Sequence, residues 1–260
     1  MGFIKSKSLT VLFFLLSFGY LYNGQAQPSL FSYEKYISNT GDTLKYRMLF
    51  PDYDTMRKYP LVIFLHGSGE RGSDNEAQLK WGVMNFATEE NMKLNPSFVI
   101  APQCPANQGW SDFSGARNGT DIVFQSAPSK PMALLMALIQ DFKKKFPVDT
   151  NRIYITGLSM GAFGTFDLLV RQPNLFAAAV PVCGGGDVTK AALIKHIPIW
   201  IFHGAEDAAV NPSFSLNMIE ALVKAGAHPG YTQYPETGHF SWIAAYSDQQ
   251  MMNWLFRQRK

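Results

Sequence analysis

Arg152-Ile-Tyr-Ile-Thr156 leads directly into Gly157-Leu158-Ser159-Met160-Gly161, and Met160–Arg171 then repeats apolar residues at helical spacing. Arg152–Thr156 is an apolar, β-prone run of the kind buried on both faces of a sheet. The reading is therefore a strand, one tight turn and a helix, with Ser159 on the turn. A serine on so tight a turn is forced into strained backbone angles. Gly157 and Gly161 fit beside it because side chains there would collide across the turn. Gly164, one turn on, lets the helix lie close to the sheet. A serine that merely N-caps a helix would account for the hydroxyl and leave the paired glycines unexplained. The G-x-S-x-G pattern recurs by chance in many chains; its strand–turn–helix setting is what gives it meaning here.

Outward from this element, Leu61–Leu65, Phe98–Ala101, Ala177–Val182 and Ile197–Phe202 are similar apolar runs, and Gly230–Tyr234 is expected as a last strand. Helical spacing is expected over Glu76–Ala87, Pro131–Phe146, Pro212–Ala225 and Ser247–Arg257. Pro147 and Pro173 follow helix ends, as breakers should. Phe31–Ile37 and Thr43–Phe50, separated by Ser-Asn-Thr-Gly-Asp, read as a hairpin. A hairpin followed by alternating strands and helices predicts an α/β fold, with a mostly parallel central sheet of about eight strands and helices on both faces. Only about 14 residues separate Val182 from Ile197, an ordinary crossover with room for one short helix such as Thr189–His196. No large cap domain is expected there, and residues 27–260 read as a single domain.

The chain has 260 residues, 47% hydrophobic and 17% charged, which suits one large core and argues against disorder. Lys5 and Lys7 precede an apolar run, Leu9–Leu21, and Gly24-Gln25-Ala26 supplies small residues before Gln27. Residues 1–26 therefore read as a signal peptide cut before Gln27, which predicts an exported protein, periplasmic or extracellular. The run is short for a membrane span, so no integral membrane segment is expected after cleavage. Removing residues 1–26 takes away two lysines and no acid, so the formal charge falls from +3 to +1. A nearly neutral surface gives no electrostatic case for nucleic acid or an anionic membrane. Cys104 and Cys183 follow strands that are not neighbours and read as two free buried thiols.

A serine hydroxyl needs an adjacent base to become a nucleophile at neutral pH. His239, in Pro235-Glu-Thr-Gly-His239, falls between the last strand and the last helix, at the sheet edge that holds Ser159. His66 and His203 each end a buried strand and read as structural, while His196 and His228 read as surface residues. Asp207 follows the strand ending at Phe202 and is the expected acid that orients His239. Glu206 and Asp187 are its rivals. The order serine, acid, histidine is 159, 207, 239. Two backbone N–H groups are needed to hold a developing oxyanion. They are expected from Met160 and from Ser68, in the loop His66-Gly67-Ser68-Gly69, where Gly67 lets the chain approach a substrate carbonyl. No lysine follows that loop at phosphate-binding spacing, and no His-Glu-x-x-His or Cys-x-x-Cys ligand set is present, so no metal and no cofactor is expected. Gln103–Ser129 is the one long stretch without periodicity. Its Trp110 and Phe113 either form an aromatic wall for substrate or pack beneath the loop; the sequence leaves both open.

Phe64-Leu-His-Gly-Ser-Gly-Glu-Arg-Gly72, Ala101-Pro-Gln-Cys-Pro105 with Trp110, Gly157–Thr165, Val182-Cys-Gly-Gly-Gly-Asp187, Phe202–Asp207 and Gly238-His239 together resemble the bacterial α/β-hydrolase esterases of the phospholipase/carboxylesterase and dienelactone-hydrolase-like group. Some members of that group carry the label "predicted peptidase". The resemblance covers nearly all of residues 58–257. It implies an α/β-hydrolase fold and hydrolysis of carboxylic esters through an acyl-enzyme. Related secreted enzymes act on acyl or feruloyl esters of plant polysaccharides, which implies a small-molecule or carbohydrate-linked ester as substrate. Asn211 departs from the proline that relatives often carry after the acid loop. Two rival functions remain at this level: a serine peptidase of the prolyl-oligopeptidase-like type, and a non-catalytic binding protein with the same fold.

Overall fold

The computed structural model describes residues 27–51, 54, 56–115 and 122–260. The segment read as a signal peptide, residues 1–26, lies outside them. Ten strands are described: β1 Phe31–Ile37, β2 Thr43–Leu49, β3 Tyr59–Leu65, β4 Phe98–Pro102, β5 Phe113–Ser114, β6 Val123–Phe124, β7 Val148–Leu158, β8 Ala178–Val182, β9 Trp200–Gly204 and β10 Gly230–Tyr234. Seven α-helices accompany them: α1 Glu89–Leu94, α2 Lys130–Lys145, α3 Met160–Arg171, α4 Ala191–Ile194, α5 Ser213–Lys224, α6 Trp242–Ser247 and α7 Gln249–Arg257.

Eight strands form one sheet in the order β1-β2-β4-β3-β7-β8-β9-β10. β2 runs antiparallel to both of its neighbours, and every pairing from β4 to β10 is parallel. β3 and β7 sit in the middle because their sequences supply apolar side chains to both faces. Alternation along β3 sends Leu61, Ile63 and Leu65 into one core and Val62 and Phe64 into the other. The first core is completed by α2, α3 and α5, through Leu135, Leu138, Phe166, Leu169, Met218 and others. The second is covered by α6 and α7, with Tyr246, Met251 and Leu255 inside it. The fold is thus an α/β-hydrolase sheet wrapped on both sides. Between β8 and β9 lie only a 3-10 turn, Val188–Lys190, and α4.

Two helical expectations are corrected. Glu76–Ala87 is not an α-helix: it makes two 3-10 turns, Ala77–Leu79 and Val83–Ala87, and α1 starts afterwards with Thr88 as its N-cap. The break falls at Gly82, whose φ of 74° is left-handed and where a Cβ would drive into the Tyr246 ring. Leu79, Val83 and Phe86 are buried all the same. Their spacing marks a face turned to the core, whatever hydrogen bonding joins them. The last helical stretch is divided at Asp248, which is extended (ψ 107°) and caps α7 through the Gln250 N–H. The preceding turn, α6, was not expected. It is fixed to the nucleophile strand by Tyr246, whose hydroxyl lies 2.8 Å from Thr156 Oγ1 on β7.

Candidate active site

β7 delivers Ser159 to the C-terminal edge of the sheet. Its φ of 52° and ψ of −118° are those of a strained residue on a sharp turn. A Cβ on Gly157 would strike the Gly161 carbonyl, and one on Gly161 would strike the Leu65 carbonyl at the end of β3. The paired glycines therefore let the turn close and let it press against the neighbouring strand. Gly164 serves a related purpose: a side chain there would meet Trp110 and Leu65.

His239 lies in the loop after β10, with Nε2 3.0 Å from Ser159 Oγ and Nδ1 2.7 Å from Asp207 Oδ2. A carboxylate can only accept, so Nδ1 carries the proton and Nε2 is left to accept from the serine hydroxyl. The second Asp207 oxygen accepts from the N–H groups of Ala209 and Val210, both at 2.9 Å. Asp207 is buried and Ser159 is only 8% exposed, while His239 is half-buried. The rivals for the acid lie elsewhere. Glu206 is exposed, and Asp187 caps the turn at Val188 by accepting from Thr189.

Met160 opens α3 and Ser68 opens a 3-10 turn, so neither N–H has a carbonyl within its own helix to bond. Gly67 brings the second of these loops against Ser159. A Cβ there would meet Leu158 at 2.8 Å and the Ser159 Cβ at 3.6 Å. His66 and His203 are buried and bond backbone groups. His66 Nε2 accepts from the Cys104 N–H at 2.9 Å, and its Nδ1 donates to the Gly67 carbonyl at 2.6 Å. Burial holds His66 at about 4, well below its ordinary value. Cys104 and Cys183 are both free and buried. The Cys183 Sγ stands behind the site, within 4.8 Å of Asp207 and His239 ligand atoms. Burial pushes its thiol far up, so it packs there as an uncharged group.

Of the two readings left open for Trp110, its burial fits packing beneath the loop and not a substrate wall. It is fully buried, donates its indole N–H to the His66 carbonyl at 3.1 Å, and supports the loop from below. Phe113 is 42% exposed and stacks on Phe163, which sits one turn beyond Ser159 on α3 (5.3 Å between centroids, 19° between planes).

Three residues near the site, Glu70, Trp81 and Phe240, escaped the sequence reading, and a fourth, His203, was read only as structural. Glu70 is buried beside Gly67, whose carbonyl accepts from the Glu70 N–H at 3.3 Å; burial raises its carboxyl above the usual range. Trp81 and Phe240 meet edge to face at 5.8 Å. His203 Nε2 lies 3.3 Å from the Asp207 oxygen that His239 uses. The only sequence signal was adjacency: Glu70 sits in the Gly-rich loop, Phe240 follows His239, and His203 precedes the acid loop.

The sequence profile of the phospholipase/carboxylesterase family matches residues 54–253. Among solved structures, a thermostable esterase is 39% identical with a TM-score of 0.82, over 89% of this chain and 64% of that one. Among curated proteins, the bifunctional acetylxylan esterase/xylanase XynS20E of Neocallimastix patriciarum is 27% identical over 154 residues, 58% of this chain and 20% of that protein. Feruloyl esterase D of Neurospora crassa is 21% identical over 188 residues, 71% of this chain and 60% of that protein. The chain spans between 19% and 28% of the first three curated relatives.

Proposed function

Because the chain belongs to the phospholipase/carboxylesterase family, we propose that it is a serine carboxylesterase in which Ser159 is the nucleophile, His239 the general base and Asp207 the orienting acid. The observation that carries this reading is the continuous relay from Ser159 Oγ through His239 to Asp207, at 3.0 and 2.7 Å. Ser159 Oγ attacks the ester carbonyl carbon as its proton passes to His239 Nε2. The resulting oxyanion is held by the Met160 and Ser68 N–H groups. Collapse breaks the bond to the alcohol oxygen, which takes the proton from His239 and leaves. Water then attacks the acyl-serine by the same route, returning the proton and releasing the acid.

The substrate we propose is a small acyl or feruloyl ester of a carbohydrate. The printed functions of the xylan- and feruloyl-directed relatives support it, as does the short β8–β9 connection, which holds one 3-10 turn and one short helix and has no room for a large cap. Phe113 on Phe163 supplies an exposed aromatic face beside the nucleophile. The basic start and apolar run of residues 5–21 support export. A panel of short-chain p-nitrophenyl, feruloyl and acetylated-sugar esters tests the reading, together with fluorophosphonate labelling of Ser159. Absence of labelling, with no ester turned over, would refute it. Terminal sequencing of protein recovered outside the cytoplasm tests the cut before Gln27.

A further inference from the structure

The side of the site next to His239 carries an aromatic group that the relay does not use. Phe240 directly follows the base and is 56% exposed. Its ring lies 4.8 Å from Trp242 and 5.8 Å from Trp81, edge to face with the latter. Trp242 in turn packs edge-on against the His239 ring at 5.0 Å. Trp242 also meets Trp81, at 6.2 Å. Contacts thus run from Ser159 through His239 and Trp242 to Trp81. Phe240 touches both tryptophans at the end of that run.

The chemistry says which half of an ester must lie there. His239 has to return its proton to the departing oxygen, so that oxygen sits within about 3 Å of Nε2 at the moment of cleavage. The rest of the alcohol extends from that point, and Phe240 is the exposed side chain that directly follows the base. Trp81 and Phe240 present carbon where they meet edge to face. The Lys80 ammonium lies over the Trp81 ring, 5.0 Å from its centroid, and places hydrogen-bond donors beside the pair. An apolar aromatic ledge with donors beside it suits a ring with hydrocarbon faces and oxygen at its edge. A small alkyl alcohol has no atoms to lay on it.

From this geometry we propose that Trp81 and Phe240 form the leaving-group subsite, that it takes a ring-bearing alcohol, a pyranose or a phenol, and that Phe113 and Phe163 face the acyl half. The proposal rests on the ester-hydrolase reading above. It is tested by comparing the wild type with Phe240→Ala on three acetate esters: methyl acetate, phenyl acetate and a mono-O-acetylated methyl xyloside. Because kcat/KM reports acylation alone, it isolates the step in which the alcohol is still present. The ratio of kcat/KM for each ring-bearing ester to that for methyl acetate should fall about fivefold in Phe240→Ala and be restored in Phe240→Trp. A fall confined to phenyl acetate assigns the ledge to phenols, and one confined to the xyloside assigns it to sugars. Ratios within about twofold of wild type for both ring-bearing esters would overturn the proposal. So would a loss equal across all three esters, or one found in hydrolysis of the common acetyl-enzyme. If the wild type cleaves none of the esters and Ser159 resists fluorophosphonate, the ester-hydrolase reading falls and this subsite with it.

Discussion

His66 ends β3 and His239 follows β10, and each imidazole has both ring nitrogens engaged, yet only one is built to move a proton. The partners of His66 are the Gly67 carbonyl and the Cys104 N–H. Neither can change its protonation state, and burial drives the ring to the neutral form. The partners of His239 are a carboxylate and a hydroxyl. The carboxylate stabilises an imidazolium, and the hydroxyl has a proton to give. A histidine's role is therefore set less by its exposure than by what its second nitrogen touches. The His66 region holds its own loop and Trp110 in place, and the His239 region is the one proposed to perform the chemistry.

The largest test of that contrast is Ser159→Ala. It should lower kcat by about 10⁶-fold and leave the melting temperature unchanged, because the hydroxyl is a partner of His239 alone. Activity within tenfold of wild type would mean that another residue is the nucleophile. Next comes Asp207→Asn, which should cost roughly 10⁴-fold in kcat by presenting the wrong group to His239 Nδ1. Glu206→Gln is expected to be nearly silent, since that side chain points to solvent. A greater loss in Glu206→Gln than in Asp207→Asn would move the acid by one residue.

His66 should act on stability rather than on rate. Its folded value of about 4 lies below the ordinary 6.5, so the unfolded chain takes up the proton first. The stability owed to this group is complete above pH 6.5 and is lost as pH falls toward 4, by on the order of 3 kcal/mol. His66→Gln keeps one donor and one acceptor but cannot titrate. Denaturant unfolding at pH 7 and pH 4.5 should show a smaller difference for the variant than for the wild type, and an equal difference would sharply limit the role given to His66. The smallest effect is expected of Trp110→Phe. It leaves the His66 carbonyl without its indole donor and should cost about 1–2 kcal/mol of stability with KM unchanged. A rise in KM for aromatic esters would return Trp110 to the substrate surface.

The turn at Ser159 was legible because the strand, the turn and the helix that define it are consecutive in the chain, and the collision of a Gly157 side chain with the Gly161 carbonyl is local; the one that requires Gly161, against Leu65 on β3, is not. The sheet was legible for a related reason: β3, β8 and the second half of β7 are so apolar that burial on both faces suits them best. Trp110 was not decidable. Its burial depends on the space left by Gly164, more than fifty residues further along the chain, and on a carbonyl at His66. The alcohol-side surface was invisible for the same cause, since Trp81 and Phe240 meet only after the sheet has brought the two loops together. The misread stretch Glu76–Ala87 shows the opposite limit. Its apolar spacing correctly told which side chains are buried and said nothing of the bend at Gly82.

The two unpaired thiols have a practical bearing. Burial pushes Cys104 up to about 12 and Cys183 beyond that, so almost no thiolate exists at neutral pH to meet an alkylating agent, a peroxide or a glutathione disulfide. No bridge ties the described residues together, so folding waits on no oxidant and no isomerase. Material made in the reducing interior of a bacterial cell should match material recovered from an oxidising compartment, and air should not age it through its sulfur.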